Sequence, residues 1–190
     1  MNTWSHQSHL TLAAMPNAAY WARCHLENVL AEWHAEALRA DAKLVVSEFI
    51  SNAVRVVGTL DVQTQAAYVQ EPRAVSYVEL AQLEQVKLRL YYGSGLLLIE
   101  VWDGNEEPPV EQLPDFESES GRGLFVVRAF CERWGWYPTF TTDLSGERRQ
   151  SGKVVWAELL AVSEGKSKPQ GHGTRRSPCT RPPQFGQEGR

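Results

Sequence analysis

The chain has 190 residues, 43% of them apolar and 22% charged, with a net charge of −4. That length is enough for one domain with a real core. The balance is that of a globular protein, and no apolar run approaches membrane-spanning length. The N-terminus MNTWSHQSHL lacks a basic region followed by an apolar stretch, so no secretory signal and no membrane anchorage are expected. The charge is uneven: residues 163–190 carry six Lys or Arg against Glu164 and Glu188, and the part before them 13 basic and 21 acidic residues. An acidic body argues against nucleic acid as the main ligand.

In chain order, SHLTLAA reads as a short strand. Pro16 suits the first turn of a helix running to about Trp33, with apolar stations at Tyr20, Leu26, Leu30 and Trp33. A second helix is predicted from Asp41 to Val57 and ends at Gly58. Its stretch LVVSEFISNAVR puts Leu44, Val45, Phe49, Ala53 and Val56 at three- and four-residue spacing. Glu48 and Asn52 lie four apart and so share one face, one turn apart. Taken alone, such a pair is more often the solvated edge of an amphipathic helix. The functional reading is a metal–nucleotide site, because an amide oxygen can ligate Mg²⁺ and a carboxylate one turn away can accept a proton.

Residues 59–85 have mixed polarity and no clear period, and are expected to be an insertion with one short helix around SYVELAQL. VKLRLYY alternates Val86, Leu88 and Leu90 with polar or aromatic residues; GSG turns, and LLLIEVWD returns as the second strand of a hairpin. In that strand Leu97, Ile99, Val101 and Asp103 share a face, which places an acid at the end of an apolar row. The stretch from Gly104 to Ser120 is polar and Pro-bearing and reads as a lid. It holds six carboxylates and no basic residue, and Arg122 is the only cation near it in the sequence. GRGLFVVRAFCERWG is expected as a helix opened by Gly121 and Gly123, with Leu124, Val127 and Cys131 on one face. WGWYPTF and KVVWAELL are expected as the last two strands. The tail 163–190 is rich in Gly, Pro, Ser and Arg and is expected to be disordered. Cys24, Cys131 and Cys179 show no paired spacing and read as reduced cytoplasmic thiols, two of them packed. The sum is an α/β (α+β) two-layer arrangement: a mixed, largely antiparallel sheet covered on one face by helices.

Three features carry the chemistry: Glu48 with Asn52, Asp103 at a strand end, and Gly121-Arg122-Gly123 at a helix N-terminus. Asp103 at the edge of an apolar pocket can accept the adenine amino group; on that assignment GTP, which offers a carbonyl there, binds poorly. The glycines allow close backbone approach to phosphate, and a helix N-terminus favours the anion.

At these residues the chain resembles the Bergerat ATP-binding superfamily of gyrases, sensor histidine kinases and anti-sigma factor kinases. SEFISNAVR resembles its N box, VWDGNEEPP its adenine box, ESGRGLFVVRAFCERWG its second glycine box, and GKVVWAEL the last strand of small anti-sigma regulatory proteins. Pro16 and Arg23 match marks of the first helix in that group. The resemblance covers roughly Leu10 to Leu160. It implies a histidine-kinase-like ATP-binding domain over 1–162, with ATP and Mg²⁺ as cofactors, and for active members serine phosphorylation of an antagonist. It implies Asn52 as the Mg²⁺ ligand, Glu48 as the catalytic carboxylate, Asp103 as the adenine contact, and Gly121, Arg122, Gly123 and Leu124 along the phosphate loop. The partners implied are a sigma factor or an anti-anti-sigma antagonist, in a cytoplasmic protein with room for a homodimer. Asn105 and Glu107 stand where the family's adenine box has glycines. With the acidic lid, they favour an alternative: a non-catalytic protein-binding module on the same fold, with weak or structural ATP binding.

Overall fold

The computed structural model describes residues 4–58, 83–110 and 123–161. The elements are β1 (His6–Ala13), α1 (Ala18–Glu32), a short 3₁₀ turn (Glu36–Leu38), α2 (Arg39–Val57), β2 (Gln85–Gly93), β3 (Leu96–Asp103), α3 (Gly123–Phe130), β4 (Arg133–Thr142) and β5 (Arg148–Leu160). The strands form one sheet in the order β1-β2-β3-β5-β4, every pairing antiparallel. The expected parallel admixture is absent among the described strands. Hairpins explain this: β2 and β3 are joined by Ser94 and Gly95, both at positive φ (53° and 77°), the backbone of a tight turn whose twist suits antiparallel strands.

Alternation divides the sheet into two faces. Val86, Leu88 and Leu90 of β2, Leu97, Ile99 and Val101 of β3, and Val155, Ala157 and Leu159 of β5 point to one face and are all buried. Leu26, Val29 and Leu30 of α1, Val45, Val46, Phe49, Ile50 and Ala53 of α2, and Leu124 and Val127 of α3 join them in one core cluster. The described helices therefore cover one face of the sheet, as the α+β two-layer reading expects. No helix among the described residues is long and apolar enough to cross a membrane.

Several local expectations are corrected. Pro16 precedes the helix rather than opening it, since α1 begins after Asn17. Tyr20 is 54% exposed and packs edge-on against Trp21 instead of entering the core. Cys131 lies just past the end of α3, half-buried against the core rather than on the helix face. β5 is longer than read, because its polar first half, from Arg148, still pairs with β4. Cys24 and Cys131 are free thiols. Burial pushes the Cys131 thiol up to about 12, with Glu132 adding to the shift, so it is no thiolate nucleophile. The bulk of the expected insertion, the rest of the lid beyond residue 110, and the tail with Cys179 lie outside the described residues.

Candidate functional site

The site forms where α2, the end of β3, the start of α3 and β5 meet. On α2, the apolar residues Phe49 and Ala53 face the sheet and put Glu48 and Asn52 at the margin of the buried face. The N-terminus of α3 lies against that margin. A Cβ built on Gly123 would run into the Glu48 carboxylate and come within 3.2 Å of the Asn52 amide. The close approach at Gly123 brings the start of α3 against the Glu48 and Asn52 side chains of α2.

Asn52, Asp103 and Leu124, separated by some fifty and twenty residues of chain, line one pocket of about 200 Å³ together with Phe49, Ala53, Val101 and Val155. Pro108, Pro109 and Val110 of the loop after β3 also line it. Of the residues the sequence singled out, the structure brings together Glu48, Asn52, Asp103, Gly123 and Leu124; Gly121 and Arg122 lie outside the described residues. Arg23 of α1 does not line this pocket and donates to the Ser47 hydroxyl at 3.2 Å. A second depression, of about 500 Å³, lies elsewhere, on the strands β1 to β4, and includes His9, Lys87, Arg89 and Trp102. It contains none of the residues the sequence singled out.

Two cations enter the site that chain order did not suggest. Arg55, one turn after Asn52, donates from Nη2 to the Asn52 Oδ1 at 2.8 Å. Lys153 of β5 sits directly across from Asp103 of β3 in the sheet, and its ammonium donates to Asp103 Oδ1 at 2.8 Å. Both side chains are about 5% exposed or less. The Asn105 N–H also donates to that oxygen, at 2.9 Å, and Lys153 Nζ reaches the Asn105 carbonyl at 3.2 Å. The Asn105 backbone thus wraps the ion pair, and its side-chain Oδ1 accepts from the Glu107 N–H at 3.0 Å. The signal for Lys153 was in the sequence. Lys153, Val155, Ala157 and Leu159 share a period of two, so an apolar row of β5 ends in a lysine as the row of β3 ends in an aspartate.

Next to it, Gly152 adopts φ +135°, and a Cβ there would collide with the Asp103 carbonyl oxygen. The strands are pressed together at the pair, which a side chain at 152 would prevent.

For the implied group, the base end of the pocket fits a nucleoside: apolar walls with a carboxylate and an ammonium at the floor. At the other end the polar groups among the described residues are the Asn52 amide and the Arg55 guanidinium. Among the described residues no group of three or more His, Cys, Asp or Glu could hold a metal alone. Any Mg²⁺ would therefore depend on Asn52 and on the phosphates themselves.

No family model and no curated protein matches the chain. Among solved structures it is similar to the RsbU and RsbW domains of Rv1364c from Mycobacterium tuberculosis, at 20% identity and a TM-score of 0.45, over 82% of this chain and 32% of that one. The chain thus spans about a third of the length of the solved chain it matches. At that distance the likeness assigns no chemistry, and the site stands on its own residues.

Proposed function

We propose that the chain is an ATP-binding regulatory protein resembling the anti-sigma factor serine kinases, acting by exchange between protein partners such as a sigma factor and its antagonist. The observation that supports this is the convergence of Asn52, Asp103 and Leu124 on one pocket, with Glu48 held against Gly123 at its margin. These residues come from the three segments on which the sequence resemblance rests.

In this reading the adenine enters between Phe49, Ala53, Val101 and Val155, with its amino group toward Asp103. Asn52 would hold Mg²⁺, which neutralises phosphate charge when bound. Arg55, exposed at that edge, would turn from the amide oxygen to a phosphate. Glu48 would accept the proton of an attacking serine hydroxyl. A second reading, a non-catalytic binding module, is favoured by one observation: the oxygen that would ligate Mg²⁺ already accepts a hydrogen bond from Arg55.

Calorimetric titration with ATP, with and without Mg²⁺, beside labelled-phosphate transfer to candidate antagonists, separates the two. Asn52→Ala should abolish the Mg²⁺ dependence of binding. Glu48→Ala should bind ATP yet transfer nothing. A wild type that binds ATP but transfers no phosphate, with Glu48→Ala unchanged in every assay, establishes the binding module. A wild type that binds no ATP refutes both readings.

A further inference from the structure

We propose that Lys153 and Asp103 together form a donor–acceptor floor that admits 6-oxopurine nucleotides, so that GTP and ITP bind this pocket alongside ATP. The inference rests on the nucleotide reading above and deepens it: base choice is made by the pair and not by the carboxylate alone.

The geometry supplies both halves. An ammonium carries three protons. Among the described residues Lys153 spends two, on Asp103 Oδ1 at 2.8 Å and on the Asn105 carbonyl at 3.2 Å. Lys153 is buried and lines the pocket, and among the described residues its third proton has no recorded acceptor, so it is available to a bound base. Asp103 Oδ1 accepts from Lys153 and from the Asn105 N–H. Oδ2 accepts from none of the described residues and belongs to a pocket-lining side chain. A donor and an acceptor thus stand side by side where a lone aspartate would present an acceptor only.

A lone carboxylate reads an amino group and rejects a carbonyl, because the carbonyl oxygen would face a second acceptor with no proton between them. Burying such an unpaired acceptor is what makes hydrogen-bonding sites selective. Lys153 removes that penalty. Adenine offers an amino donor beside the N1 acceptor; a 6-oxopurine offers the O6 acceptor beside the N1–H donor. Each edge can satisfy one acceptor and one donor, in opposite order. The ammonium also neutralises the carboxylate, so O6 meets no net negative charge at the floor. The expectation that Asp103 excludes GTP therefore reverses once Lys153 is in place.

The test is a calorimetric titration of the full chain with Mg-ATP, Mg-GTP and Mg-ITP. Wild type, Lys153→Met and Lys153→Gln are compared, with thermal unfolding run on each variant. The expected wild-type affinities for ATP and GTP agree within about tenfold. Lys153→Met should lose GTP and ITP by about tenfold or more relative to ATP, and Lys153→Gln, which keeps a donor, should retain much of both. ATP binding with rejection of GTP by more than about tenfold in the wild type overturns the inference and leaves the nucleotide reading standing. Lys153→Met that binds GTP as the wild type does also overturns it. A wild type that binds neither nucleotide overturns the nucleotide reading, and this inference with it. Should the methionine variant fail to fold, the wild-type ratio alone decides.

Discussion

At the scale of single residues, Asp103 serves two demands with one carboxylate. It is the acid at the end of an apolar row, and it is the counter-charge of a buried lysine. A buried ion pair adds little over well-packed apolar groups, yet breaking one strands the remaining charge in a poor solvent. Asp103→Asn leaves the Lys153 ammonium without its anion and should lower unfolding stability by about 3–5 kcal/mol in urea denaturation. The double substitution Asp103→Leu with Lys153→Met removes both charges and should recover most of that loss. A double variant no more stable than the single one would show that the pair is a net stabiliser in its own right. Gly123 makes a different kind of demand. Its missing side chain leaves room for the Glu48 carboxylate, which is the flexible end of a side chain and can move aside at small cost. Gly123→Ala would therefore fold and would displace Glu48.

At the scale of elements, close approach of β3 and β5 is what creates the floor of the site. Gly152→Ala places a methyl against the Asp103 carbonyl and forces an L-residue into positive φ. Neither backbone nor partner strand can yield cheaply. The variant should lose more than about 2 kcal/mol of stability and show early hydrogen exchange in β3 and β5, whereas the helix core stays protected. Uniform loss of protection, or none, would mean that the strands do not depend on this contact. The elements were largely legible in the sequence because their apolar periods are clean: α2 and the β2–β3 hairpin appear within two residues of the expected bounds. What failed had local physical causes. Tyr20 fits a helical period, but its hydroxyl and its contact with Trp21 suit it to the surface, and periodicity cannot see that. The first half of β5 is polar, and its pairing comes from β4 across a Gly146-bearing turn rather than from its own pattern. In the site, Glu48, Asn52, Asp103 and Gly123 were readable from spacing and from the family resemblance. The pairing of Lys153 with Asp103 was not, since fifty residues separate them and only the register of two strands brings them face to face.

At the scale of the whole molecule, the sheet has one apolar face under the helices and one face where charges are buried among aromatic rings. On the second face Arg89 of β2 lies opposite Glu100 of β3, and Arg133 of β4 opposite Glu158 of β5. Arg133 grips the Glu158 carboxylate with two nitrogens at 2.8 and 2.9 Å, but Arg89 reaches Glu100 only through Nε at 3.2 Å. That contact is close enough for an ion pair but too poorly aligned to count as a hydrogen bond, so Glu100 Oε2 is buried without a hydrogen-bond partner among the described residues. Its other oxygen takes the Tyr137 hydroxyl at 2.9 Å. Burial raises the Glu100 carboxyl above its ordinary value, against the opposing pull of Arg89 and Tyr137. The sign of the consequence follows from proton counting. Between the ordinary carboxylate value and the raised one, the folded chain holds a proton that the unfolded chain has released. The contribution of Glu100 to stability is therefore fully present below the unfolded value and is lost as pH rises through the folded one. Glu100→Gln keeps an acceptor for Tyr137 and removes the charge, and Arg89, with its side chain 39% exposed, can turn to water. The variant should be at least as stable as the wild type at neutral pH, and its thermal midpoint should fall less than that of the wild type as pH rises from about 4 to 7. Parallel midpoint curves for the two proteins would show that Glu100 titrates alike in the folded and unfolded chains, and that its ion pair with Arg89 offsets its burial in full.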